Sequence, residues 1–153
     1  MNKIIRILDI KEAHKVADDL MELFKKEDVD EGHFFLKHNI QTIKSALSSP
    51  SVLAWDFFAW AHKTEDKYDA VIAFYNDKNI KFGTKVFNEF IWLSKNPKAG
   101  MKLLKEALCF AKDNNFKYII MSSVVKNKKH KKVIDFYKKF GFEKDTESYI
   151  MEL

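Results

Sequence analysis

Phe136-Tyr137-Lys138-Lys139-Phe140-Gly141-Phe142 closes a short amphipathic stretch near the C-terminus and sets a tyrosine four residues before a Gly-Phe pair. The pattern predicts a helix over Lys131 to Phe140 that stops at Gly141, a residue type suited to the left-handed C′ position. Upstream, Ala99-Gly100 follows a strand-like run and opens another helix, with Met101, Leu104, Leu108 and Ala111 on one side up to Asn114.

Working outward, Tyr118 to Val125 is a continuous apolar run and reads as a central strand, and Ser148 to Leu153 reads as a closing strand. The middle is β-rich. Val52 to His62 carries Trp55, Phe57, Phe58 and Trp60, and the strands Ala70 to Tyr75 and Val86 to Leu93 follow it. Lys63 to Lys67 is a charged turn, Asn76 to Gly83 a polar loop, and the three runs suit an antiparallel meander. At the N-terminus, Ile4 to Ile10 reads as a strand. Lys11 to Lys26 reads as one helix capped by Asp9, with Ala13, Val16, Ala17, Leu20 and Leu23 on one face. Asp28 to Gly32 is a polar break, and Phe35 to Leu47 is a second helix ended by Ser48-Ser49-Pro50. The order is β-α-α-β-β-β-α-β-α-β: an α/β chain (α+β in arrangement) read as one domain over residues 1–153, with no internal repeat or linker.

A chain of 153 residues with 46% apolar and 14% aromatic content can bury a real core and is not a disordered segment. Only 4 Gly and 2 Pro argue against a sandwich of many short strands. The single cysteine, Cys109, excludes an internal disulfide and sits in a helical apolar pattern that reads as core. The charged, strand-like start is not a signal peptide and no apolar run approaches membrane-spanning length, so the chain reads as cytosolic and soluble. Its net charge of +5 is uneven. Residues 95–139 hold 13 Lys against Glu106, Asp113 and Asp135, a local balance of +10 that leaves −5 for the rest. Such asymmetry calls for an anionic partner, nucleic acid or a polyphosphate cofactor. Arg6 is the only arginine, which argues against nucleic acid, where arginine dominates recognition.

A backbone turn at a helix N-terminus can hold a phosphate, and a tyrosine from a neighbouring helix can deliver a proton. Together the two motifs point to an enzyme that uses a phosphate-bearing acyl donor.

Over essentially its whole length the chain resembles the GNAT superfamily of acyl-coenzyme A-dependent N-acyltransferases. Phe90-Ile91-Trp92-Leu93 looks like the family's fourth strand, Met101-Lys102-Leu103-Leu104-Lys105-Glu106-Ala107 like the start of its main helix, and Phe136 to Phe142 like its final helix and exit. The resemblance implies a single mixed, mostly antiparallel sheet flanked by helices. That sheet splays between its fourth and fifth strands, with coenzyme A in the gap. The family's diphosphate loop reads Arg/Gln-x-x-Gly-x-Gly/Ala, and here the corresponding residues are Lys95, Asn96, Pro97, Lys98, Ala99 and Gly100. Gly100 fits the last position and Lys95 keeps a cation at the first. Lys98 replaces the middle glycine, and Pro97 removes an amide donor.

The resemblance implies acetyl-coenzyme A as co-substrate and a primary amine as acceptor. Trp92, Leu93 or Ser94 would offer a backbone N–H to the thioester or pantetheine arm, and Lys95, Lys98, Ala99, Gly100, Met101 and Lys102 would hold the diphosphate. Tyr137 matches the general acid that protonates the leaving sulfur, a role open to a phenol that is neutral at pH 7. Glu89 is a candidate base, although a strand carboxylate is more often a solvent-facing or ion-paired group. His130 could touch the cofactor or be an exposed loop histidine, and Asn127 is similar. Phe34, Phe35, Trp55 and Trp60 could line the acceptor site, although such residues are more often core. The histidines at 14, 33, 38, 62 and 130 have no metal-ligand spacing. A catalytically inactive GNAT-fold binding module is the rival reading, favoured by Lys98 in place of glycine. Homodimerisation is compatible with the resemblance. The acceptor amine is not legible.

Overall fold

The computed structural model describes residues 2–30, 44, 57–77, 83–123 and 128–144. Among them, strands β1 (Asn2–Arg6), β2 (Phe57–Thr64), β3 (Lys67–Asp77), β4 (Val86–Ser94) and β5 (Tyr118–Ile120) form one sheet in the order β1-β2-β3-β4-β5. The first three pairings are antiparallel, β2–β3 and β3–β4 as expected for the meander, and β4–β5 is parallel. A parallel pair needs a long crossover, which α3 (Pro97–Asp113) supplies. The other described helices are α1 (Ile10–Asp19), α2 (Met21–Asp30) and α4 (His130–Lys139). No helix among the described residues is long and apolar enough to cross a membrane.

Helices cover both faces. On one, Ala13, Val16, Ala17, Leu20 and Phe24 of α1–α2 pack on Ala59, Ala61, Val71, Ala73 and Leu93, where small strand residues let the helices come close. On the other, Leu103, Leu104, Ala107 and Ala111 of α3 pack on Phe58, Trp60, Ile72, Phe74 and Phe87. There the Phe74 and Phe87 rings stack 4.2 Å apart, and the Arg6 guanidinium lies 5.0 Å from the Phe110 ring. Trp60 is thus core. Phe34, Phe35 and Trp55, with the expected helix at 35–47, the strand at 148–153 and Asn127, lie outside the described residues.

Two strand irregularities place side chains that alternation alone would misplace. In β3, His62 pairs with Ala70 and Lys63 with Tyr68, so Asp69 is an extra, bulged residue. In β4, Ala73 pairs with Ile91 and Phe74 with Glu89, so Phe90 is extra. A bulge keeps two consecutive side chains on one face and reverses the phase beyond it. Accordingly Phe87 packs under α3 whereas Leu93, at the same parity, packs under α1.

Several expected boundaries move. β1 ends at Arg6 rather than Ile10, because the Asp9 carboxylate accepts from Glu12 N at 2.9 Å and starts α1 at Ile10. The single helix over 11–26 is two, interrupted at Leu20. The interruption coincides with anchorage: the Asp19 carboxylate accepts from Tyr68 N at 2.9 Å, and its carbonyl accepts from Lys95 Nζ at 2.8 Å. The polar break at 28–32 is also corrected, since α2 runs through to Asp30. β5 spans Tyr118–Ile120, with Met121 to Ser123 outside it, and 124–125 of the expected strand lie outside the described residues. Cys109, expected in the core, is exposed. The buried stripe of α3 is Ala99, Gly100, Leu103, Leu104, Ala107 and Ala111, which turns Cys109 outward beside Lys105 and Lys112.

Candidate active site

The sheet opens between β4 and β5. Among the described residues, pairing covers only Val86, Phe87 and Asn88 against Tyr118, Ile119 and Ile120, and the six residues of β4 from Glu89 onward have no β5 partner. Where the next ladder bond would fall, a side chain replaces the backbone: Glu89 Oε2 accepts from Ser122 N at 2.7 Å. The carboxylate therefore spans the split between the strands.

The last described helix, α4, delivers a phenol to the same place. Gly141 adopts φ 88°, its N–H donates to the Lys138 carbonyl, and Phe142 N–H donates to the Tyr137 carbonyl. These two bonds are the Schellman ending of a helix, and its usual apolar contact is present, with the Phe142 and Tyr137 rings 5.4 Å apart. The Gly-Phe pair thus fixes the tyrosine that precedes it. Tyr137 is 6% exposed, and its hydroxyl donates to the Ser122 carbonyl at 2.7 Å. Burial, and secondarily the Glu89 carboxylate, hold its pKa well above the usual phenol value. Phe136 packs on Trp92 at 5.7 Å and so joins α4 to the β4 side of the split.

A phenol that resists ionisation when folded affects stability at high pH. The unfolded chain releases this proton near pH 10 and the folded chain does not, so stability is full below that pH and falls above it. The expected slope from this group is about 1.4 kcal/mol per pH unit. Urea melts between pH 9 and 11.5 should show it, and Tyr137→Phe should remove it. An unchanged slope in the variant would assign the alkaline loss elsewhere.

The beginning of α3 is built by a polar network that the sequence reading missed. Asn96 is the N-cap and its side chain accepts from Ala99 N at 2.8 Å. Asn96 Nδ2 donates to Asp69 Oδ2 at 3.2 Å, and Ser94 Oγ donates to the Asn96 carbonyl. The bulged Asp69 also meets His62 Nδ1 at 2.6 Å and accepts from Thr64 Oγ1 at 2.9 Å. His62 is 3% exposed, and its Nε2 has no hydrogen-bond partner among the described residues. Gly100 suits a close approach: a Cβ there would lie 3.1 Å from Ser94 Cβ and 3.4 Å from Trp92 Nε1, so those side chains would have to give by a few tenths of an ångström. Asn96-Pro97 was a readable signal, an N-cap followed by proline at the first helical position. Nothing local marks Asp69, His62 or Ser122, because a bulge and a strand split brought them in.

No family model and no curated protein sequence matches the chain. Solved structures do. An aminoglycoside acetyltransferase from an uncultured soil metagenomic sample superposes with a TM-score of 0.70 at 18% identity, covering 99% of this chain and 96% of that one. The ribosomal-protein-alanine N-acetyltransferase of Brucella melitensis biovar Abortus gives 0.71 at 12% identity, covering 100% and 99%. A predicted acetyltransferase from Clostridium acetobutylicum, solved with acetyl-CoA, gives 0.70 at 15% identity, covering 99% and 96%. The fold is that of the GNAT acetyltransferases.

Within the GNAT fold the named residues fall into two groups. Glu89 and Tyr137 meet at Ser122 in the split, and Trp92 flanks it. Leu93 points away, into the core under α1. Ser94, Ala99 and Gly100 form the packed base of α3, and Lys98, Met101 and Lys102 lie on its first turns, with both lysines exposed. Lys95 is engaged on the other side, at the Asp19 carbonyl that ends α1. His130 opens α4, with its Nδ1 2.9 Å from Ser123 Oγ. Of the first-turn amides of α3, Pro97 has none, Ala99 is taken by Asn96, and Gly100 bonds the Asn96 carbonyl at 3.3 Å. Lys98 therefore carries the first-turn N–H that faces outward.

Proposed function

We propose that the protein is an N-acetyltransferase that moves an acetyl group from acetyl-coenzyme A to a primary amine by direct attack in the β4–β5 split. The observation that carries this reading is the convergence of Tyr137 and Glu89 on Ser122, at the point where strand pairing stops. The backbone of β4 beyond Glu89, which has no β5 partner among the described residues, would supply amides for the thioester oxygen and the pantetheine arm. The diphosphate would rest at the start of α3 against the Lys98 amide and the ammonium groups of Lys98 and Lys102.

In the reaction the neutral amine attacks the thioester carbonyl carbon. A C–N bond forms, the C–S bond breaks, and sulfur leaves as thiolate. One nitrogen proton passes to water or to Glu89, and one proton ends on sulfur. Tyr137 donates to that sulfur. A thiolate whose thiol has a pKa near 8.5 is a weaker base than a phenolate whose phenol has one near 10, by about 1.5 units or about 2 kcal/mol. The raised pKa of Tyr137 widens this gap. We therefore read Tyr137 chiefly as a hydrogen-bond donor that stabilises the developing thiolate, a refinement of full proton transfer.

A second reading, a GNAT-fold module without activity, is favoured by one observation: Asn96 already occupies the Ala99 amide and Pro97 offers none. Calorimetric titration with acetyl-coenzyme A separates the two. Measurable affinity supports the enzyme, and Lys98→Glu should weaken it about tenfold by reversing charge at the helix start. Absence of binding by the unmodified protein would favour the inactive module. Equal affinity of the variant would remove Lys98 from the site.

A further inference from the structure

The face of the sheet under α1 and α2 carries a second feature beside the split. The bulge at Phe90 puts Phe90 and Ile91 on that face together. Ile91 packs inward, whereas Phe90 stays 48% exposed. An exposed phenylalanine in the middle of a strand is not explained by core packing. It is ordered by neighbours: the Phe57 ring lies 5.1 Å away edge-on, and Phe57 stacks on Tyr75 at 6.5 Å. Two residues beyond Tyr75 is Asp77, whose carboxylate accepts from Asn88 Nδ2 at 3.4 Å. Asn88 pairs with Tyr75 and precedes Phe90 by one strand repeat on the same face. Burial, and secondarily the Asp77 carboxylate, raise the Tyr75 pKa.

Aromatic faces beside a carboxylate are the chemistry that holds an organic ammonium. We propose that Phe57, Tyr75, Phe90 and Asp77 seat the remote ammonium of a small acceptor that carries at least two amino groups, while its other nitrogen reaches the split at Glu89 and Ser122. This assignment rests on the acyl-transfer reading above and deepens it by naming the acceptor class. Spacing sets the size. Along β4 the split begins at Glu89, three residues from Val86, the partner of Asp77, about 10 Å at about 3.3 Å per strand residue, and the second nitrogen reaches it through the gap between the strands because Glu89, at the parity of Phe87, faces the α3 side. A linear diamine of four to six carbons, its ammonium at contact distance from the Asp77 carboxylate, spans what remains, and ethylenediamine does not. Lys98 and Lys102 of α3 lie on the helix that covers the opposite face of the sheet and would face the anionic donor, so opposite charges approach the split from separate sides.

The test uses the full chain and linear α,ω-diamines of two to six carbons, with n-butylamine as the single-charge control. Calorimetry without coenzyme A should show 1,4-diaminobutane or 1,5-diaminopentane binding about tenfold more tightly than n-butylamine. Phe90→Ala and Asp77→Asn should each reduce that preference severalfold, with circular dichroism and acetyl-coenzyme A affinity unchanged. Initial rates with acetyl-coenzyme A should follow the same chain-length order and yield the monoacetyl product. Equal binding of diamine and monoamine overturns the seat. So does a concentration-dependent dimer that Phe90→Ala dissociates, because the ring would then be covered by a second copy. Diamine preference without turnover would retain the seat and sink the acyl-transfer reading. Turnover of monoamines alone would do the reverse.

Discussion

Replacing Tyr137 by phenylalanine should lower kcat about a hundredfold while acetyl-coenzyme A affinity stays within a factor of two. The ring would keep its contacts with Phe136 and Phe142, so the helix ending that positions it survives. Only the hydroxyl bonded to the Ser122 carbonyl is lost. That hydroxyl is a neutral donor at the point where β4 and β5 part, and removing a positioned donor of this kind typically costs two to four orders of magnitude in rate. A fold-neutral loss in kcat with unchanged affinity is the signature of an interaction made with the leaving group. Parallel decay of kcat and affinity would make Tyr137 a packing residue, and a loss under about threefold would remove it from the chemistry.

The second large effect is expected at a residue far from any motif. Asp69→Ala should destabilise the protein by about 3 kcal/mol, because it strips partners from a buried histidine and from the helix cap together. For a domain of this size that is a fall in Tm of about 8 °C. Asp69 joins His62, Thr64 and Asn96, and Asn96 in turn holds the Ala99 amide at the start of α3. The variant should therefore also change acetyl-coenzyme A affinity, which a surface carboxylate would not. Asp69→Asn, which preserves shape and can still pair with Asn96, should recover part of the loss. Thermal scans that place Asp69→Ala within 2 °C of the unmodified chain would show that the network contributes little.

These two residues differ in how far the chain announced them. Tyr137 was visible because its position is encoded locally: a tyrosine, a glycine that takes positive φ, and a phenylalanine that folds back on the ring lie within six residues. Asp69 was invisible because it matters through an extra residue in β3, and no property of Tyr68-Asp69-Ala70 marks a bulge in advance. Lys95 shows the same limit from the other direction. Its place in the loop pattern suggested a phosphate ligand, yet its ammonium lies on the Asp19 carbonyl, 76 residues away in sequence. Cys109 was misjudged because apolar spacing on α3 fits more than one stripe, and only contact with the sheet selects among them.

By itself, then, the sequence determined most of the described strands and helices in their order, the caps at Asp9 and Gly141 and the antiparallel meander. These features depend on neighbours within about one or two turns of chain, where periodicity and φ preference act directly. Tertiary structure decided which face each residue of β3 and β4 presents, where the sheet stops pairing, and that Glu89, Ser122 and Tyr137 meet there. The reason is geometric. A single bulge reverses the phase of every side chain beyond it, and a strand split juxtaposes backbone and side chains that share no local pattern.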